Sequence, residues 1–400
     1  MPAVRCSTLV TCSSEDLPVR SPAVPAVTRD GVVAWQGGII TYAGPWSGWE
    51  ADVDEDLAGR TVVPGFVDCH THLPFFGWRD DEYEARLTGR TYRDLHGDGG
   101  IPRSARMLSE TSDDEVMEFC RPLVAEMVAH GTTALELKTG YGLSVEDELR
   151  QARLARRLAE EAPQTCMVTL LACHAVPPGL DREAWVEVVC RELIPRAAEE
   201  GLAEAVDVYI EDIAFTVRDL ERVAEVAGRV GLPLRVHADQ LGNTGGAAAA
   251  AGLAARSADH LNHIGEEGVR ALGRADTAAV LLPASTLQLG TEPPPIAALR
   301  EAGAALALAT DFNPGTSAVL SMPEAMALGC ARYRLSPLEA LVGATANGAW
   351  VLGLHDRLGS LAPGKRADLV VLEGEDVRMV PYRPGHNPVV RSFVGGQASA

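Results

Sequence analysis

Two hydrophobic rhythms alternate along the chain. Apolar runs of four to six residues give way to longer stretches in which apolar positions return every three or four residues. The first rhythm fits strands buried on both faces, and the second fits amphipathic helices. Strands are predicted at Val62–Val67, Thr133–Leu137, Met167–Ala172, Ala205–Ile210, Leu234–His237, Ser257–His260, Ala278–Leu282 and Ala304–Ala309. Helices are predicted over 114–129, 145–161, 183–199, 217–230, 246–254, 266–273, 295–302 and 318–332. Strand then helix, eight times over, predicts an α/β chain folded as a (β/α)8 TIM-like barrel. A doubly wound open sheet fits less well, because polar residues collect at nearly every strand end. No G-x-G-x-x-G opens a helix, and there is no Walker-type loop.

The two ends follow a different rhythm. Residues 31–35 and 38–44 are β-rich pieces punctuated by glycine, with no long helical pattern before residue 60. The tail echoes them with a turn at Pro363-Gly364-Lys365 and strands at Ala367–Leu372 and Val389–Val394. A small β-sandwich domain built from both termini (1–60 and 360–400) is therefore expected beside a barrel of residues 61–359. From His72 to the helix at 114 runs a connection of about forty residues, a length typical of lids and binding loops.

Charge and cysteine content narrow the function classes. The 400 residues carry a formal net charge of −20. That balance disfavours nucleic acid and anionic membrane surfaces as partners. It also means that a site for an anionic substrate needs local positive charge. The eight cysteines are scattered without C-x-x-C spacing, as expected of free thiols in a reducing cytoplasm. No signal-peptide pattern opens the chain, and no apolar run reaches membrane-spanning length.

In a barrel the C-terminal ends of the strands converge on one site. Those ends carry His70 and His72 after the first strand, Lys138 and Tyr141 after the second, and His174 after the third. Then follow Glu211, His237 with Gln240, His260, and finally Asp311 with Asn313. Alternation along a strand turns His70 and His72 to the same side. A lone H-x-H is more often a pair of polar loop residues. Five of ten histidines at strand ends make a set that chance placement does not explain. His70, His72, His237 and Asp311 are assigned as ligands of one divalent metal ion, zinc or iron, with a position left for water. A metal there lowers the pKa of its water. Asp311 can take the water's proton, and His260 is placed to orient or deprotonate the water or to polarise a carbonyl. Cys69 and Cys173 precede site histidines and should face the other way. The fourth strand region, DVYIED, holds no lysine, so a carbamylated lysine bridging two metals is not expected.

These residues resemble the amidohydrolase superfamily. The motifs that carry the likeness are HTH at 70–72, VHADQ at 236–240, SADH at 257–260 and ATDFNPG at 309–315. Within the superfamily the chain is similar to the imidazolonepropionase family from about residue 60 to about residue 395. The more specific motifs are ELKTGYGL at 136–143, ACHAVPP at 172–178, TDFNPGTS at 310–317 and PYRPGHN at 381–387. The resemblance implies metal-dependent opening of the cyclic amide of 4-imidazolone-5-propanoate to N-formimidoyl-L-glutamate. It implies that Arg79, Tyr141 and His174 contact the substrate, that Gln240 meets the ring, and that Asn313, Gly315 and Thr316 line the acid end. The reacting centre is then His260, Asp311 and Gln240. A propionate carboxylate suits a bidentate guanidinium, although Arg79 could instead pair with Asp80, Asp81 or Glu82 at the surface. Tyr141, between two glycines, is expected to be exposed. The implied partners are a small anionic cyclic amide and a second copy of the chain, as a homodimer.

Departures from the family pattern fall in the long loop. Bulky Phe76 and Trp78 precede Arg79, Asp98 interrupts a glycine run, and Pro102 follows. They leave the identity of the acid open. Gln240 stands where superfamily deaminases carry a glutamate, and glutamine cannot act as a general acid. Another cyclic amide, a heteroaromatic amine, or a non-catalytic assembly role are the alternatives. The last fits poorly with a full set of ligands.

Overall fold

The N-terminal residues enter as strands β1 (Ala3–Val10), β2 (Val27–Gln36), β3 (Ile39–Pro45) and β4 (Glu55–Pro64). The computed structural model describes residues 1–399 apart from 23 and 96–98. Gly37 and Gly38, both at positive φ (58° and 79°), supply the two-residue turn between β2 and β3. The barrel strands follow as β5 (Phe66–Asp68), β6 (Thr132–Lys138), β7 (Thr165–Cys173), β8 (Ala205–Ile210), β9 (Leu234–Ala238), β10 (Ser257–His260), β11 (Ala278–Leu281) and β12 (Leu306–Leu308). The tail returns as β13 (Leu369–Glu373), β14 (Val389–Val394) and β15 (Gln397–Ala398).

Both termini share one seven-stranded sheet in the order β15-β14-β13-β4-β1-β2-β3. Its pairings are antiparallel except for β1 with β4. The sheet curls over, and Ile40 N donates to Lys365 O at 2.7 Å across the fold. Val4, Leu9, Trp35, Ile40, Leu369 and Phe393 fill the space between its two halves. This is the sandwich arrangement built as one continuous sheet.

The run Val62–Val67 is two strands, not one. Val62 and Val63 close β4, paired with Leu9 of β1 and with Val370 and Val371 of β13. Gly65 then lets the chain step into the barrel, because a Cβ there would lie 2.1 Å from Thr133 Oγ1. An uninterrupted apolar run carries no mark of a change of sheet; Pro64-Gly65 is the only local signal.

The eight barrel strands are parallel and ordered in sequence from β5 to β12. Helices Asp113–Ala129, Val145–Glu161, Val217–Arg229, Gly246–Gly252, Glu266–Arg274 and Met322–Tyr333 pack outside. The predicted helix 183–199 is present with a π-helical turn at Val189–Leu193. β5 and β12 close the barrel only at its upper rim, where Thr71 bridges Phe312 and Asp311 N donates to His70 O at 3.0 Å. Three of the predicted metal ligands, His70, His72 and Asp311, thus sit on the closing seam.

The long connection after His72 holds helices Asp80–Leu87, Tyr92–Leu95 and Gly100–Ser109. Phe76 and Trp78 pack with Phe75, Phe119 and Phe312 at ring separations of 5.3–5.9 Å. Asp98 lies outside the described residues. The barrel strands are not apolar throughout: Glu136, Lys138, Asp207, Arg235 and Asp259 are all buried in the interior.

Candidate active site

The barrel mouth holds a small cavity lined by His72, Arg79, Tyr92, Ile101, Tyr141, His174, Tyr209, His237, Gln240, His260, Asp311, Asn313 and Thr316. His70 lies beneath this lining, fully buried. Gly315 is outside it but is packed under Arg79, since a Cβ on Gly315 would fall 1.6 Å from Arg79 Nη2.

The histidine rings cluster tightly. His70 and His237 are 4.5 Å apart between centroids, His237 and His260 5.3 Å, and His72 stacks on His174 at 5.1 Å. His70, His72 and Asp311 place one candidate ligand atom each within 4.8 Å of one another, and so do His70, His237 and His260. The four residues assigned from sequence therefore fall into two overlapping groups that share His70, with His260 in the second.

Tautomer logic tests whether these groups fit a metal. His70 Nδ1 lies 2.6 Å from Asp259 Oδ2, so the imidazole donates there and leaves a lone pair on Nε2. Burial holds the His70 pKa well below its ordinary value, so Nε2 carries no second proton. Yet that nitrogen faces Asp311 Oδ1 at 3.4 Å and has no hydrogen-bond partner. Two acceptors facing each other in a buried site need a cation between them. At His237 both ring nitrogens are buried without a hydrogen-bond partner, with Nδ1 3.0 Å from Asp207 Oδ2. The donor set fits a metal ion.

Backbone geometry aims the site. His260 (φ 75°) and Asp311 (φ 56°) occupy the left-handed region, which non-glycine residues rarely adopt. Asp68 holds the turn before Asp311, accepting from Thr310 Oγ1 at 2.6 Å and Thr310 N at 3.1 Å. Asn313 Oδ1 accepts from the backbone N–H of Gly315 (2.9 Å) and Thr316 (2.7 Å), while its Nδ2 donates to Asp311 O at 2.6 Å. The TDFNPGTS stretch is thus a self-bonded loop, and Asn313 spends its amide on shaping it. Burial pushes His260 down to about 3, so it works as a neutral imidazole.

Arg79 is 3% exposed, against the alternative of a surface ion pair. Nη1 donates to Ser104 Oγ at 3.1 Å, and Nε stands 3.5 Å from buried Glu82 without a hydrogen-bond partner. Tyr141 is 2% exposed, so the expectation of an exposed loop tyrosine is wrong. Gly140 (φ 113°) and the buried carboxyl of Glu148, which accepts from Gly140 N, Gly142 N and Leu143 N, fold the loop inward. Phe76 and Trp78 do not line the cavity, so their bulk does not narrow it.

Tyr92, Ile101 and Tyr209 line the cavity and escaped the sequence reading. Tyr209 follows the inward-facing Asp207 by two in β8 and so shares its face. Tyr92 and Ile101 come from the long connection, where no periodicity marks orientation. Glu211 and Lys138 stand at strand ends but not in the cavity wall. Glu211 accepts from Leu241 N at 2.8 Å, and Lys138 lies below among carboxylates. Cys69 and Cys173 are buried away from the cavity, as alternation requires. Among the described residues, no helix is long and apolar enough to cross a membrane.

Comparison with known proteins places this geometry among relatives. The amidohydrolase family pattern matches residues 61–398. An imidazolonepropionase from Rhizorhabdus wittichii is 43% identical over 370 residues, covering 91% of this chain and 93% of that protein. An imidazolonepropionase from Rubrobacter xylanophilus is 45% identical over 374 residues, covering 92% and 89%. Among solved structures, a zinc-bound adenosine deaminase from Xanthomonas campestris superimposes with a TM-score of 0.72 at 18% identity, covering 99% of this chain and 92% of that one. At that identity the likeness speaks for the fold alone.

Proposed function

Since the chain belongs to the amidohydrolase family, and within it to the imidazolonepropionases, we propose the following account of its chemistry. The protein hydrolyses the ring C–N bond of 4-imidazolone-5-propanoate. Water adds to the ring carbonyl carbon, the bond from that carbon to nitrogen breaks, and the nitrogen takes a proton, giving N-formimidoyl-L-glutamate. The observation that carries the reading is Arg79, a buried cation in the wall of the same cavity as Asp311 and His260. It supplies the local positive charge that a chain of net charge −20 needs for a propionate.

A divalent metal, zinc or iron, held by His70, His72, His237 and Asp311 would polarise the carbonyl and lower the pKa of water at the site. The remaining work falls to the chain. Asp311 takes the proton from the attacking water and passes it to the leaving nitrogen. His260, neutral at working pH, donates its N–H to the oxygen that gains charge. Arg79 binds the propionate, with Thr316 and the loop shaped by Asn313 and Gly315 closing around it. Tyr141, His174 and Gln240 orient the ring. Gln240 fixes geometry without exchanging protons.

The eight cysteines, all free, suit a reducing cytoplasm. A homodimer is proposed from the family resemblance, and light scattering checks it. The test of function follows the ultraviolet absorbance of the imidazolone. Metal-loaded protein is expected to discharge it, chelated protein not, and reloading to restore the rate. Chelation should also lower the melting temperature, because the facing lone pairs at His70 and Asp311 lose their cation. A fully active chelated protein would reject the metal-dependent reading.

A further inference from the structure

A third group with metal-binding geometry shares His237 with the proposed metal site and reaches below it. Asp207, His237 and Asp259 each offer a ligand atom within 4.8 Å of the others, and all three are buried. They come from neighbouring strands, β8, β9 and β10. The Lys138 ammonium reaches into this group from β6, with Nζ 2.6 Å from Asp207 Oδ2 and 4.0 Å from Asp259 Oδ2. Glu136 Oε2 completes its surroundings at 2.9 Å. The same Asp207 and Asp259 oxygens face His237 Nδ1 and His70 Nδ1, so this cation touches both carboxylates that orient metal-binding imidazoles.

We infer that the Lys138 ammonium is a resident cation standing where a second metal ion would sit, and that it limits the barrel to one metal. The inference rests on the metal site proposed above. Charge balance supports it. Three buried carboxylates, Glu136, Asp207 and Asp259, face two buried cations, Lys138 and Arg235. Arg235 is engaged with Glu136 and Thr169. Among the described residues Lys138 is then the one lysine or arginine paired with Asp207 and Asp259. Removing it leaves two adjacent carboxylates without their ammonium in a site closed to water, a cost that a divalent cation can offset. β8 offers no lysine to the site, whereas β6 places one in its centre.

The test is metal stoichiometry. Native protein and Lys138→Ala are stripped with a chelator, reloaded with excess zinc, dialysed and measured by atomic emission, with circular dichroism as the check on folding. The native chain is expected to hold one zinc and Lys138→Ala two. The melting temperature of the variant should rise up to the second equivalent, while that of the native chain stops rising at the first. Cobalt loading should show a new absorption band for the second equivalent in the variant only. Lys138→Leu, which removes the charge but keeps the space filled, should hold one. One zinc in folded Lys138→Ala overturns the inference and leaves the metal site standing. Two zinc ions in the native barrel also overturn it, and that measurement needs no variant to fold. A native chain that holds no zinc rejects the metal site and the inference together.

Discussion

At the scale of the residue, the site is built from groups whose protons are fixed by their neighbours. Asp259 chooses the tautomer of His70 and so turns its lone pair towards Asp311, while Asp207 stands 3.0 Å from His237 Nδ1. Asp311→Asn is expected to lower kcat/KM by at least about 1000-fold while the circular dichroism melt stays cooperative and falls no further than that of the chelated native chain. Steady-state kinetics beside the melt check both halves. Arg79→Ala should act on binding, raising KM about 30-fold, as loss of roughly 2 kcal/mol from a charged hydrogen bond requires. Unchanged kinetics would remove Arg79 from the substrate site. Gly315→Ala should mimic Arg79→Ala without touching the guanidinium's chemistry, because its Cβ would stand 1.6 Å from Arg79 Nη2. The clustering residues were legible in sequence because histidines and aspartates at strand ends stand out. Their supporting carboxylates were not. Asp207 and Asp259 lie inside short apolar strands, where a single charge reads as a break in the pattern rather than as a partner.

At the scale of the element, caps and turns hold the scaffold under the site. Ser336 and Glu339 form a reciprocal cap on helix Pro337–Val342, and Arg300 Nε donates to Glu339 Oε1 at 2.9 Å. Burial opposes the Glu339 charge, but Arg300, Ser336 and Ser21 outweigh it and bring the pKa from 4.5 to about 2. Because the folded value lies below the unfolded one, the contribution is complete above pH 4.5 and fades as the pH falls towards 2. Glu339→Gln should therefore destabilise the chain by about 1–2 kcal/mol at pH 7, with the difference shrinking between pH 4.5 and 2 in urea unfolding curves. A constant difference across that range would contradict the assignment. Most barrel strands and helices were readable from periodicity, since each buries one continuous set of positions. The junction at Pro64-Gly65 was hidden because both sheets bury their strands there and the apolar run does not change. The inward turn of Tyr141 was hidden for another reason. It depends on Glu148, seven residues on, gathering three backbone N–H groups, and no local pattern announces that.

At the scale of the whole molecule, barrel closure and active-site assembly are one event. The rims of β5 and β12 meet through His70, Thr71, Asp311 and Phe312, so the proposed metal ligands of the first and last strands come together only when the barrel is shut. The composite terminal sheet reinforces this, since β4 passes directly into β5 and β13 pairs with β4. A repeating strand-helix pattern predicts such a barrel, but which strands form the weak seam emerges only from the hydrogen bonds. The substrate loop showed the opposite limit. Phe76 and Trp78 looked like alterations to the pocket, and they pack instead on Phe119 and Phe312 behind it. Their bulk therefore does not oppose the proposal that this cavity takes a small cyclic amide bearing a carboxylate. The most direct test of that claim is turnover of 4-imidazolone-5-propanoate in 18O-water, with the product analysed by mass spectrometry. The expected result is N-formimidoyl-L-glutamate carrying one heavy oxygen, in the carboxylate derived from the ring carbonyl. Recovery of intact substrate, or release of ammonia with the ring still closed, would contradict it.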